Sequence, residues 1–269
     1  MRMHQVNNKK HIMTPYTNIK YSFFARKNRR NLIFISAGAR EKFATYAINY
    51  LLDEFDVACF FYHDFEIDIT FKKQCVMYAN GSGTKFNALR ELYTINPSFF
   101  RAYETIWICD DDLIINQGNP RILPLIVQNF GLKAISPSHA KDSKVSHEIM
   151  VTMHGSHFFR YTNFIEMGWP IFLANELYDF LEEYDGSLDG WGIDWWYLNF
   201  LKANHRPAVG IVDSLITINP FDHQKQGGFR ELDLAINNQD QYRQWVSIKK
   251  QNNLYEWEMK NLFLTYAEN

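Results

Sequence analysis

Cysteine is scarce in this chain of 269 residues: there are three, Cys59, Cys75 and Cys109, and no two are spaced as Cys-x-x-Cys. An odd number of widely separated cysteines, each inside an apolar run, argues against a disulfide scaffold or a thiolate metal knuckle. It fits buried free thiols in a reducing compartment. No apolar run approaches the roughly 18 residues a bilayer span needs, so no membrane helix is expected. The first residues include Asn, Lys and His and lack the apolar core of a signal peptide. Charge of one sign is also missing. With 28 Lys+Arg against 30 Asp+Glu the formal net charge is −2, which leaves no global basic field for nucleic acid. The local exception is Lys9, Lys10, Lys20, Arg26, Lys27, Arg29 and Arg30, ahead of the first apolar run. Such a lead-in is a solvated arm or a contact for an anionic surface or ligand phosphate. The expectation is a cytoplasmic protein with at most peripheral contact to the inner membrane face and no nucleic-acid partner.

Aromatic residues are plentiful: 22 Phe, 15 Tyr and 7 Trp make up 16% of the chain. Most are expected in the core, leaving some to stack on bases or sugars. Short apolar runs alternate with helical spacing, the pattern of an α/β protein with a mostly parallel central sheet flanked by helices. Residues 32–35 read as a buried strand, followed by the turn Ser36-Ala37-Gly38-Ala39 and a helix with Phe43, Ala47, Tyr50 and Leu51 at helical spacing. Strands at 57–62 and 74–79 end in His63-Asp64 and Asn80-Gly81-Ser82-Gly83. A helix at 85–93 precedes a strand at 105–109 that runs into Asp110. Ligands of such sheets bind at the carboxyl ends of the strands. The second half is less regular. A strand is expected at 133–136, a polar loop or hairpin with His139, His147, His154 and His157 at 138–163, and helices at 173–184 and 191–203. Two strands follow at 209–212 and 215–218, then an amphipathic helical segment at 239–269.

The strongest local signal is Asp110-Asp111-Asp112 at the end of an apolar strand. Adjacent carboxylates repel one another unless a cation joins them. All-oxygen sites of this kind suit Mg²⁺ or Mn²⁺, and Asp110 and Asp112 have the Asp-x-Asp spacing that can hold metal and nucleotide together. A solvated acidic turn or a helix cap is the competing reading. In Asp189-Gly190-Trp191-Gly192-Ile193-Asp194 the glycines permit a tight backbone that presents the indole to a sugar. Asp194 falls at a helix start in aromatic surroundings that suit a general base, although either aspartate could instead be a cap. Glu166 lies between apolar neighbours and needs a partner or a role, either acceptor hydroxyls or a buried ion pair. Ser36, Gly38 and Arg40 could contact a nucleotide through backbone N–H groups and charge. Lys85 follows a Gly-Ser-Gly-Thr loop, and Asp64 could accept from a base or ribose. His223 could complete a metal shell.

Taken in order, the segments from Tyr103 to Leu113, Phe164-Ile165-Glu166, Gly190-Trp191-Gly192-Ile193-Asp194 and Val209-Gly210-Ile211-Val212-Asp213-Ser214 resemble the plant and bacterial proteins of domain-of-unknown-function family 707. The resemblance covers about half of the chain, from about Gly83 to about Pro220. It implies a GT-A-like nucleotide-diphospho-sugar transferase fold, with Asp110 and Asp112 serving metal and nucleotide and Asp194 the acceptor; Asp111 is a further candidate for the nucleotide. The Gly-Trp-Gly-x-Asp stretch is similar to the acceptor-side motif of galactosyltransferases and related inverting enzymes, and Trp191 within it and Asp189 just before it are the candidates for binding the acceptor. Where the family tends to have His after its Val-Asp-Ser strand pair, this chain has Asn219, so a third ligand is either His223 or absent. The expectation is therefore one domain over residues 1–269, with a donor half at about 31–115, an acceptor half at about 116–238 and a helical segment beyond. It would be a metal-assisted glycosyltransferase acting on a nucleotide sugar and a glycan, such as a bacterial surface polysaccharide. The rivals are a metal-dependent phosphohydrolase and a non-catalytic carbohydrate-binding protein.

Overall fold

The computed structural model describes residues 19–27, 29–38, 42–62, 69–153, 157–225 and 238–266. Each early apolar run becomes a strand. In chain order the first elements are β1 (Lys20–Phe23), β2 (Asn31–Ala37), α1 (Lys42–Tyr50), β3 (Phe55–Phe61), α2 (Ile69–Gln74) and β4 (Met77–Asn80). They are followed by α3 (Lys85–Ile95), α4 (Pro97–Phe100), β5 (Thr105–Asp110) and β6 (Ile114–Gln117). Strands β4, β3, β2 and β5 lie side by side and parallel. Alternate residues enter two different cores, with Leu32, Phe34, Ile106 and Ile108 on one face and Ile33, Ile35, Trp107 and Cys109 on the other. Burial on both faces explains why these strands read as unbroken apolar runs. Their carboxyl ends gather Ser36, Asn80 and Asp110 at one edge of the sheet. The three cysteines are buried and free.

The second half continues the same sheet with mixed directions. Its elements are α5 (Leu123–Asn129), β7 (Ala134–His139), β8 (His157–Thr162), β9 (Ile171–Leu173), α6 (Ala174–Glu183), α7 (Ile193–Phe200), β10 (Val209–Ile218), α8 (Asn238–Gln251) and β11 (Asn261–Tyr266). The order across the sheet is β1-β4-β3-β2-β5-β9-β7-β10-β8-β11, with β6 also pairing β10. Three expectations change. Residues 138–163, expected as a loop or hairpin, contain β8, whose partners are the distant strands β10 and β11. The two strands expected at 209–212 and 215–218 are one, β10, whose register against β7 shifts between Val212 and Ile216. The tail is helical only to Gln251. Asn253 has φ +51°, and Asn261–Tyr266 forms a strand, since β8 offers an edge to the β-favouring run Leu-Phe-Leu-Thr-Tyr. Among the described residues no helix is long and apolar enough to cross a membrane.

Arg160 on β8 and Asp213 on β10 pair at 3.0 Å, with both side chains almost fully buried. The Arg160 guanidinium also donates to Val151 O and Asn261 Oδ1, and Asp213 accepts from the Met153 N–H. This network ties the C-terminal strand to the middle of the sheet.

Candidate functional site

The end of β5 is held by the chain around Gly168. The Asp110 N–H donates to Gly168 O at 3.3 Å, and Trp169 Nε1 donates to Asp110 O at 2.8 Å. Lys85, the first residue of α3, donates to the carbonyls of Met167 and Gly168 at 2.7 Å each and pairs with Asp110 Oδ1 at 2.9 Å. Three partners match the three protons of an ammonium group. Lys85 therefore fixes Asp110 beside the cavity. Asp111 is buried, and its Oδ2 accepts from the Gly38 N–H at 2.7 Å. That hydrogen bond stitches the ends of β2 and β5 together. Asp112 meets Lys225 Nζ at 2.6 Å, and the lysine side chain is only 9% exposed.

The opposite wall is the turn into α7. Gly190 and Gly192 have φ of +122° and +89°, and a Cβ on Gly192 would lie 2.4 Å from the Trp245 ring. Both the turn and its packing on α8 thus require glycine. α8 holds the loop through Gln241 Nε2, which donates to Asp189 O at 2.6 Å, and through Gln244 Oε1, which accepts from the Asp189 N–H at 3.1 Å. Trp191 stays half exposed, with its ring 5.5 Å from that of Tyr242. Asp194 Oδ1 accepts from the Trp195 N–H at 2.8 Å. Burial raises the Asp194 pKa to about 7 against that hydrogen bond, and the negative charge of Glu166 adds to the rise.

Glu166 lies 3.7 Å from His139 Nε2. Burial pushes its carboxyl up, but the hydrogen bond and charge of His139, with His147 and Ser146, hold it below the ordinary value. Thr217 donates its hydroxyl proton to Ser138 O at 3.0 Å and so accepts from His139 Nδ1 at 2.9 Å. That bond fixes the ring with Nε2 towards Glu166.

These walls enclose a cavity of about 690 Å³, within the range of small-ligand sites. Of the expected site residues, Ser36, Lys85, Asp110, Asp111, Asp112, Glu166, Asp189, Trp191 and Asp194 line it. Gly38 is one hydrogen bond behind it. Arg40 and Asp64 lie outside the described residues. His223 is not in the lining; its ring stacks on Phe221 with centroids 5.9 Å apart. Among the described residues no group of three or more His, Cys, Asp or Glu could hold a metal. The third protein ligand expected of His223 is therefore not brought to the Asp110–Asp112 pair.

Two carboxylates still suit a hard divalent ion that takes its remaining oxygens from phosphate and water. Among the described lining residues, six carboxylates face two lysines, so a diphosphate entering here needs further positive charge. The donor set fits Mg²⁺ or Mn²⁺ on that ground. Sequence reasoning missed Lys225, the His139 partner of Glu166, and the pair Gln241 and Gln244. Each meets its partner from at least 27 positions away, with no local motif to mark it.

No family model and no curated protein matches the sequence, so the resemblance to family 707 remains an expectation. Solved structures are similar in fold. S. aureus TarS 1–349 in complex with UDP-GlcNAc matches at 12% identity and TM-score 0.50, over 80% of this chain and 64% of that one. GalNAc-T7 with UDP, GalNAc and Mn²⁺ matches at 7% identity and TM-score 0.55, over 84% of this chain and 48% of that one. This chain thus spans less than two thirds of the length of either. At such identities the likeness shows the fold, which is α/β and GT-A-like, with helices flanking a central sheet.

Proposed function

We propose that the cavity is the site of a nucleotide-sugar-dependent glycosyltransferase, in one GT-A-like domain with donor and acceptor halves. The observation that carries this reading is that one cavity brings Asp194, a half-buried carboxyl whose pKa is raised to about 7, together with the Asp110–Asp112 pair at the strand ends. Of the two fold neighbours, TarS is a complex with UDP-GlcNAc and GalNAc-T7 a complex with UDP, GalNAc and Mn²⁺. The donor diphosphate is assigned to the side of Asp110 and Asp112, where a bound Mn²⁺ or Mg²⁺ would neutralise charge on the leaving phosphate. Asp194 is the general base: it takes the proton of an acceptor hydroxyl as that oxygen bonds to the anomeric carbon and the bond to the diphosphate breaks, with inversion. A base with a pKa near the working pH is ionised often enough to accept the proton and basic enough to hold it. Glu166, kept ionised by His139, orients acceptor hydroxyls, and Trp191 offers a face for a sugar ring.

The test is a thermal-shift screen of nucleoside diphosphates and nucleotide sugars, with and without Mn²⁺, on wild type and Asp112→Asn. Ligand at a hundredfold its Kd stabilises by ~2.7 kcal/mol. The expected result is a Mn²⁺-dependent shift with one nucleotide series that Asp112→Asn loses. No shift with any nucleotide in folded protein would refute the reading.

A further inference from the structure

Lys225 is a charged residue of the cavity lining to which the proposed reaction gives no role. It follows the 3₁₀ turn Asp222–Gln224, and its ammonium sits 2.6 Å from Asp112 and 3.8 Å from Asp222 Oδ1. Asp222 is held in turn by Lys144 Nζ, at 2.8 Å from each carboxylate oxygen. A side chain only 9% exposed at this position is a built contact rather than a drifting surface lysine. Lys225 differs from Lys85 in one respect. The Lys85 ammonium is shared among Asp110 and two backbone carbonyls, whereas the described contacts of Lys225 are with carboxylates, and the side chain lines the cavity.

This places a tethered monovalent cation on the carboxylate that the Asp-x-Asp pair would offer to a divalent one. The ammonium takes Asp112 Oδ2, and its charge repels a divalent ion at the same carboxylate, so the two compete for Asp112. The lysine cannot simply be expelled, since the acidic cavity needs every positive charge when a diphosphate enters. Resting on the proposed donor site, we infer that Lys225 is a diphosphate-binding residue held in reserve on Asp112. When the divalent ion and diphosphate arrive together, the ammonium moves from the carboxylate to a phosphate oxygen, with Asp222 as its neighbouring counter-charge. The exchange makes metal binding without nucleotide weak, and it couples the two ligands.

Two measurements on the full chain test this, in wild type, Lys225→Gln and Lys225→Arg. The first is Mn²⁺ affinity without nucleotide, read by the loss of the free-ion paramagnetic resonance signal. The second is the affinity for UDP, CDP, ADP and GDP at saturating Mn²⁺, read by calorimetry. Lys225→Gln should bind Mn²⁺ alone at least tenfold more tightly, because Asp112 is released. The same variant should bind the preferred nucleoside diphosphate at least tenfold more weakly. Lys225→Arg should restore most of the nucleotide affinity. Opposite signs in one protein separate the exchange from misfolding, which would weaken both. Unchanged nucleotide affinity in Lys225→Gln, or no gain in Mn²⁺ affinity, would overturn the inference while leaving the transferase reading intact. Absence of nucleoside diphosphate binding by wild type in any condition would remove both.

Discussion

Replacing Asp194 with asparagine should change how the stability of the protein depends on pH, by an amount that follows from its burial. The folded carboxyl has a pKa of about 7 against an ordinary value of 3.8. Between those values the unfolded chain has lost a proton that the folded chain keeps. Unfolding then releases a proton, and stability falls as pH rises. Three pKa units at ~1.36 kcal/mol each give a loss of about 4 kcal/mol between pH 4 and pH 7, constant above that. Water entering the cavity would reduce this, so 4 kcal/mol is a ceiling. Asparagine keeps the shape and can still accept from the Trp195 N–H, but it does not titrate. The assay is urea unfolding of both proteins at half-unit steps from pH 4.5 to 8.5. Asp194→Asn should gain on wild type by about 2–4 kcal/mol from the acid to the alkaline end, a large share of a typical 5–15 kcal/mol stability. The same variant should turn over ~10²–10⁴-fold more slowly once a donor and acceptor are found. Parallel stability curves would show that Asp194 is ionised and solvated, and would remove the basis for calling it a base.

Glu166→Gln removes the nearby negative charge that helps raise Asp194, so the Asp194 pKa should move down, as read by NMR titration of the aspartate carboxyl carbons. No downward movement would mean that the two carboxyls do not sense each other. Asp213→Asn leaves the Arg160 guanidinium buried beside a neutral amide and should lower unfolding free energy by about 3–5 kcal/mol in chemical denaturation. A change under about 1 kcal/mol would mean that water already reaches this pair. Gly192→Ala forces a side chain into left-handed backbone and onto the Trp245 ring; a loss of at least ~1–3 kcal/mol is expected, with altered Trp fluorescence. An unchanged melting temperature would argue against the observed turn.

Much of the N-terminal half was legible in the sequence because its signals are local. A parallel strand buried on both faces must be apolar throughout, so β2, β3 and β5 announced themselves, and a run of carboxylates at the end of β5 marked the site edge. The Gly-Trp-Gly turn was likewise readable, since left-handed backbone needs glycine. The C-terminal strand was not. Asn261–Tyr266 is a strand because β8 is there to pair with it, and as an isolated segment its mixed pattern fits a helix nearly as well.

The sequence by itself determined the α/β class, the place of the strand ends and the residue types available for chemistry, because period, burial and turn geometry act over a few residues. Only the tertiary structure decided what each of those residues does. It put Lys85 on Asp110, Gly38 on Asp111 and Lys225 on Asp112, and it set His139 against Glu166. Charge pairing and desolvation depend on distances of 3–4 Å between segments far apart in the chain, and no local pattern encodes them.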